Sequence, residues 1–429
     1  MSTIFAAVEN RGRARTARVA TISFAVLVAS SALCGPAHAA KLDVLHEFTG
    51  TDGSDPLGGV VIDPNTGIVY GTTPYGGLGF GTVYALTPPK PGKHKWKFET
   101  IYAFQGGIDG ATPETGLVIS SGGDFLWGTT RTGSSHCGCG TIFRMVKPFS
   151  GHNWVQETVH EFSGETFDGI APNSLVINEP SGYLYGTTGT STSGTIYRML
   201  LGDSSVTVIY NPAVPIGEYV GYHPQGVALD SDGTIYGTAF DGEFAGTIFR
   251  IKPDGTGKIL HSFSGPDGLY PLGPPVLAPS GALYGTTWEG GKPEDCPQSP
   301  GCGTVWKKLP NSKAKVLHSF SFFTHPHDGQ TPLSPLVLDS VTGTLYGTTY
   351  NGGTGTVCGG VGGSCGTIFS VDTQGKYNVL WQMPKGGPAA PVGQLAFHDG
   401  ALYGASYDGG KSCSDQHYLG CGTVWKLTP

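Results

Sequence analysis

Three groups of side chains in the 429-residue sequence have the types and spacing that chemistry requires. The first is a set of carboxylates. Asp-Gly-x-x-Pro recurs with its acids at Asp52, Asp109, Asp168, Asp267 and Asp328. Gathered at one mouth of a channel, these carboxylates would bind a cation. The same dipeptide is also turn chemistry, with Asp bonding nearby backbone and Gly supplying φ > 0. Pro224 and Pro391 persist in copies that lack the acid, which fits a turn. The second group sets an aromatic ring beside a polar acceptor: Phe240 with Asp241, Trp288 with Glu289, Tyr350 with Asn351, Tyr407 with Asp408. Such pairs stack and hydrogen-bond a sugar ring, although the aromatics could equally pack between structural units. The third group is thiols. Apart from Cys34, the cysteines form four local pairs: Cys137 and Cys139, Cys296 and Cys302, Cys358 and Cys365, Cys413 and Cys421. Local pairing in an exported chain points to one disulfide per loop. The tight Cys137-Gly138-Cys139 span also admits a thiolate metal or redox site with His136.

Other candidates carry less. His325-Pro326-His327-Asp328 is a compact possible ligand set, but a single His-x-His lacks further ligands. Gly362-Gly363-Ser364-Cys365-Gly366 has the form of a nucleophile elbow, yet a glycine loop precedes it and a strand follows, where a strand and a helix are needed. The histidines at 46, 160, 261 and 318 exchange with Tyr102, Tyr210 and Trp381 in other copies, as a packed aromatic position would. No cofactor is expected.

Positioning these groups requires a scaffold, and the composition names its class. Glycine numbers 70 residues and charged residues are only 13% of the chain, which disfavours helical bundles and coiled coils. Residues 1–39 read as an export signal: Arg11, Arg13, Arg15 and Arg18, then an apolar run, then Ala37-His38-Ala39. The remainder, 40–429, holds only the arginines at 131, 144, 198 and 250, so nucleic acid is not an expected partner. No second apolar run is long enough to span a membrane. Tyr-Gly-Thr-Thr or a variant recurs with its aromatic at Tyr70, Trp127, Tyr185, Tyr236, Tyr284, Tyr346 and Tyr403. Each copy is followed by Gly-Thr-[Val/Ile]-aromatic, from Gly81-Thr82-Val83-Tyr84 to Gly422-Thr423-Val424-Trp425. Short β-branched and aromatic runs bounded by turn residues give four strands, a to d, per copy. Seven such units predict an all-β, seven-bladed β-propeller. Residues 44–48 form a spare strand d and 423–427 a final strand c, so their pairing would complete the last blade and remove two exposed edges. The aromatic pairs and the Asp-Gly turns would then fall in the b–c and d–a connections, on one face.

The pattern Leu283-Tyr284-Gly285-Thr286-Thr287, Gly290-Gly291, Gly303-Thr304-Val305, with Leu260-His261-Ser262-Phe263 and Asp267-Gly268-x-x-Pro271, resembles the GloVer repeat of bacterial exported choice-of-anchor proteins. The resemblance implies an extracytoplasmic protein and supplies no catalytic residues. The residues themselves favour a secreted, monomeric, non-catalytic module that recognises a glycan or an envelope protein. A carbohydrate-active hydrolase or lyase at the channel mouth, and a purely structural envelope component, are the alternatives.

Overall fold

The computed structural model describes residues 40–148, 153–164, 167–189, 193–213, 218–242, 245–296, 300–322, 327–353, 365–410 and 420–429. They build seven four-stranded antiparallel sheets, a seven-bladed β-propeller. The first blade runs outward through Val60–Ile62, Val69–Thr73, Thr82–Thr87 and Lys97–Ala103. Its inner strand lies beside those of the second and seventh blades, and Gly59 bridges Gln394 in parallel across the ring seam. The seventh blade orders Ala389–His398, Ala401–Asp408, Thr423–Thr428 and, outermost, Lys41–Glu47. The closure expected from the sequence is present: Lys41 faces Thr428 and Glu47 faces Thr423. Among the described residues helix occurs only as 3-10 turns, at Gly107–Asp109, Glu179–Ser181 and Pro293–Asp295.

Each letter of the repeat has a packing reason. The strand-b glycine lies opposite the strand-c aromatic: Gly71 with Tyr84, Gly285 with Trp306, Gly404 with Trp425. The aromatic ring covers the glycine so closely that a Cβ there would collide with it, in all seven blades. These strand-c rings are fully buried, and each stabilises the fold by roughly 1.5–3 kcal/mol of apolar burial. The first threonine ties one blade to the next. Thr72 Oγ1 donates to Thr115 O (3.0 Å), Thr238 to Gly273 O (2.7 Å) and Thr286 to Ser334 O (3.3 Å). In the third blade Asn173 relays the link, accepting from Thr187 and donating to Pro224 O. The second threonine pairs with the Gly-Thr hydroxyl of its own blade, as in Thr73 with Thr82 (2.7 Å) and Thr287 with Thr304 (2.9 Å).

In five blades the strand-b aromatic meets a cation from strand c. Arg144 lies 5.3 Å from the Trp127 ring, Lys307 5.7 Å from Tyr284 and Lys426 5.3 Å from Tyr403. Arg198 and Arg250 occupy the same register opposite Tyr185 and Tyr236. Arg144, Arg198 and Arg250 are thus committed to the blades, and Arg131 pairs with Glu114 at 2.9 Å.

Candidate site at the mouth of the propeller

Strand a begins and strand b ends at the same edge of every blade, so the d–a and b–c connections share one face. The sequence placed the aromatic–acceptor pairs in b–c loops. The structure instead extends strand b beneath three of them: Ile235–Asp241, Leu283–Glu289 and Ala401–Asp408. Asp241 pairs with Tyr222, Glu289 with Leu269, Asp408 with Ala389, and Asn351 with Gln330 in a short separate ladder. The d–a segment therefore runs as a strand against the site residues and fixes their register.

That pairing passes through a strained position, where it skips one residue before resuming at the proline. The residue before the persistent proline is left-handed in all seven blades: Asp55, Thr112, Ala171, His223, Tyr270, Thr331 and Ala390, with φ from 51° to 58°. None is glycine, and for the β-branched Thr112 and Thr331 the conformation is a genuine outlier. Neighbouring blades enforce it. The amide of Tyr270 donates to Ala245 O (2.9 Å), Thr331 to Cys302 O (3.0 Å), Ala390 to Cys365 O (2.9 Å) and Asp55 to Cys421 O (2.9 Å). The following proline packs on the glycine that opens strand c of the preceding blade, where a Cβ would strike the proline ring. Strain of this kind persists where surroundings over-determine it. Here it sets Tyr270 against Phe240 and Trp288, and His223 against Asp241.

Two clusters form. In the fourth and fifth blades, Tyr270 joins Phe240 and Trp288. Phe240 stacks on Tyr270 at 4.8 Å, and Trp288 lies 6.2 Å from Phe240 and 6.3 Å from Tyr270. Trp288 is 37% exposed, so the shelf has a solvent face. His223 Nδ1 contacts Asp241 Oδ2 at 2.9 Å. In the sixth and seventh blades, burial and the charges of Asp408 and Asp55 raise the Tyr350 phenol. Tyr407 is pushed up to about 12 by burial, Asp55, Asp408 and its neighbours Tyr350 and Tyr75. Asp55, Tyr75, His223 and Tyr270 were not singled out in the sequence. The signal available for three of them was the pre-proline position; for Tyr75 it was the place after the strand-b aromatic plus four.

The Asp-Gly carboxylates lie elsewhere. Each bonds the outermost strand of the blade before it: Asp52 to His46 (2.9 Å), Asp168 to His160 (2.9 Å), Asp267 to His261 (2.7 Å), Asp328 to His318 (2.8 Å) and Asp109 to the Tyr102 hydroxyl (2.6 Å). Their second oxygens accept from the turn, as Asp52 does from Thr49 N and Asp168 from Ser163 N. Burial pushes Asp52, Asp168 and Asp267 up, but the bonds from histidine and turn outweigh it and hold all three below the ordinary carboxylate value. In one of the two copies that lack the acid, the Tyr210 hydroxyl donates to Gly221 O instead (2.6 Å).

Cys137–Cys139 and Cys296–Cys302 are disulfides, with Cα atoms 5.1 and 5.6 Å apart. The first removes the thiolates that a site with His136 would need. Cys365 and Cys421 are also disulfide-bonded; Cys358 and Cys413, assigned to them from sequence, lie outside the described residues. So does His325, while His327 is exposed. Among the described residues no three His, Cys, Asp or Glu side chains gather as metal ligands would, and no helix is long and apolar enough to cross a membrane.

No curated protein matches the chain. Solved structures share the fold at low identity. Oligogalacturonate lyase in complex with manganese is 13% identical with a TM-score of 0.53, over 91% of this chain and 96% of the lyase. The extracellular domain of a one component system from B. thetaiotaomicron is 12% identical with a TM-score of 0.52, over 90% of this chain and 41% of that one. At these identities the likeness is one of fold alone. The model of the Gloeobacter/Verrucomicrobia repeat matches residues 36–243 and 188–418, nearly the whole propeller, and the chain belongs to that repeat family.

Proposed function

We propose that the protein is an exported, non-catalytic binding module that takes a glycan across the mouth of the propeller. The observation that carries this reading is the uneven filling of equivalent positions. Four places after the strand-b aromatic the seven blades hold Pro74, Arg131, Gly189, Phe240, Trp288, Tyr350 and Tyr407. The scaffold accepts any of these, since blades one to three fold with none of the aromatics. Aromatic rings nonetheless occupy four consecutive blades, each followed by a hydrogen-bonding acceptor. A continuous arc of ring faces suits a chain of sugars better than a single small ligand. The basic and apolar leader and the disulfides support export.

Trp288→Ala and Tyr407→Ala test it on a broad glycan array and by titration with the oligosaccharide that binds. Each is expected to weaken binding at least tenfold while leaving the melting temperature nearly unchanged. Undiminished binding in both variants would remove the arc from the function. The hydrolase or lyase alternative has one observation in its favour, the His223–Asp241 pair beside the aromatic shelf. His223 Nε2 is buried, without a partner among the described residues, so the imidazole is not presented to a ligand as a proton donor or acceptor. Release of reducing ends from a bound glycan, abolished by His223→Ala, would favour catalysis over binding.

A further inference from the structure

The disulfide of the second blade stands apart from the others. In five blades one backbone bond closes the b–c loop, from the glycine that opens strand c to the glycine six places after the strand-b aromatic. Gly81 N donates to Gly76 O (3.3 Å), Gly140 to Gly133 (2.8 Å), Gly303 to Gly290 (3.1 Å), Gly366 to Gly352 (3.0 Å) and Gly422 to Gly409 (3.1 Å). In blades five to seven, twelve or thirteen residues lie between those glycines. Each of these long loops carries a disulfide-bonded cysteine, Cys302, Cys365 or Cys421. The first blade has four residues there and no cysteine. The second blade has six, yet Cys137 and Cys139 are bridged within them. That short loop is already held by Gly140 N on Gly133 O, by Ser134 N on Gly107 O (2.8 Å) and by Ser135 N on the Glu161 carboxylate. A ring of three residues also restricts the unfolded chain less than the ring of Cys296–Cys302. Bracing the loop therefore does not account for the Cys137–Cys139 bond.

The bond is open to attack at one end. Cys137 is exposed, whereas Cys139 is 2% exposed and packs with Ile142 and Phe162. Cys296, by contrast, is half-buried. His136 precedes Cys137 and lines an open cavity of about 870 Å³ with Gln105, Asp109, Gln156, His160 and Glu161, which gives a peptide room beside the exposed sulfur. A reduced Cys137 has an acceptor in place, since its sulfur lies 3.7 Å from Phe162 O. Exposed disulfides are the labile ones, and buried sulfur is inert.

We infer that Cys137–Cys139 is a reactive disulfide that oxidises a dithiol peptide by exchange at Cys137. One thiolate of the peptide attacks Cys137 Sγ. The Cys137–Cys139 bond breaks, and Cys139 Sγ leaves with the electron pair and takes a proton from solvent. The second peptide thiolate then attacks the peptide sulfur of the mixed disulfide, and Cys137 leaves as the thiolate. The peptide ends as a disulfide, and Cys137 and Cys139 end as two thiols. The site is separate from the aromatic arc and does not depend on the glycan reading.

A Cys-x-x-Cys peptide in its dithiol form, added in limiting amount to the full mature chain, tests this. Free thiols are alkylated at intervals and each cysteine is read by mass spectrometry. Cys137 and Cys139 should become alkylated about tenfold faster than Cys296 and Cys302. The peptide should be recovered as its disulfide, and the melting temperature of the protein should stay nearly unchanged. In the Cys139→Ser variant, whose folding a melting curve checks, oxidised glutathione should form a mixed disulfide at Cys137. In Cys137→Ser the buried Cys139 should stay unmodified. A Cys137–Cys139 bond that resists the peptide, or that is reduced no faster than Cys296–Cys302, would overturn the inference. Modification of Cys139 in preference to Cys137 would overturn it as well. A melting temperature that collapses on reduction of this one pair would make the bond a structural brace.

Discussion

The glycine after the strand-b aromatic is set by space rather than by backbone freedom. Its φ is ordinary, yet the ring of Trp306 occupies the volume a Cβ at Gly285 would need, and Trp425 does the same at Gly404. Gly285→Ala is therefore expected to push a fully buried ring off its place and destabilise the protein by about 1–3 kcal/mol, read from the urea midpoint. The neighbouring threonine is worth less. Thr286→Val removes one bond to Ser334 O in the next blade and should cost about 1 kcal/mol. The recurrence of these residues was plain in the sequence, and so was their place on strands b and c. Which neighbour each one served was not, because the partners come from a register across strands and from the following blade. The left-handed pre-proline position was hidden for the opposite reason. Asp55, Thr112, Ala171, His223, Tyr270, Thr331 and Ala390 share no side-chain chemistry, so nothing in their types announces one backbone conformation.

Six outer strands are latched to the turn that follows them, four of them by a histidine with an aspartate. The histidine positions did prove to be packed aromatic ones: His46 stacks on Phe98 at 3.6 Å and His318 on Tyr377 at 3.7 Å, in both cases on the next blade. Their bond to aspartate was not legible, since the partners lie 6, 8, 6 and 10 residues apart for His46, His160, His261 and His318. The latch has a pH consequence with a definite sign. Asp52, Asp168 and Asp267 are held below the ordinary carboxylate value in the folded protein. Between the folded and unfolded values the unfolded chain binds more protons, so stability rises with pH there. The stabilisation is complete above the unfolded carboxylate range and is lost as pH falls through the folded values. Melting temperatures taken from about pH 6 down to about pH 3 should fall. The triple variant Asp52→Asn, Asp168→Asn, Asp267→Asn should start lower and fall less steeply. An equally steep fall in the variant would show that other carboxylates carry the acid sensitivity.

The ring as a whole has one joint made differently from the rest. Adjacent blades are tied by the first threonine of the repeat, but the seventh blade has Ala405 at that place and cannot make the bond. The seam between the seventh and first blades carries the Gly59–Gln394 bridge in addition to the Asp55 amide on Cys421 O and the buried Phe48, which have counterparts at other joints. Phe48 is fully buried in a core that also contains Val69 and Tyr84 of the first blade and Tyr403 and Val424 of the seventh. It leads directly from the outer strand Lys41–Glu47, so that strand and the seam are one structural unit. Deleting residues 40–48 should therefore do more than shorten a sheet. It leaves Thr423–Thr428 as an open edge and takes the fully buried Phe48 out of the seam. Edges of this kind recruit other chains, and loss of a buried Phe alone costs about 3–5 kcal/mol. The truncated protein is expected to melt well below the intact one and to self-associate, which calorimetry and size-exclusion chromatography would register. A synthetic peptide of residues 40–48 should restore both properties by adding the missing strand, as strand addition does at other open edges. The same peptide with Phe48 replaced by Ala should rescue poorly. A truncated protein with the intact melting temperature would mean that the other blades hold the ring closed without the shared sheet.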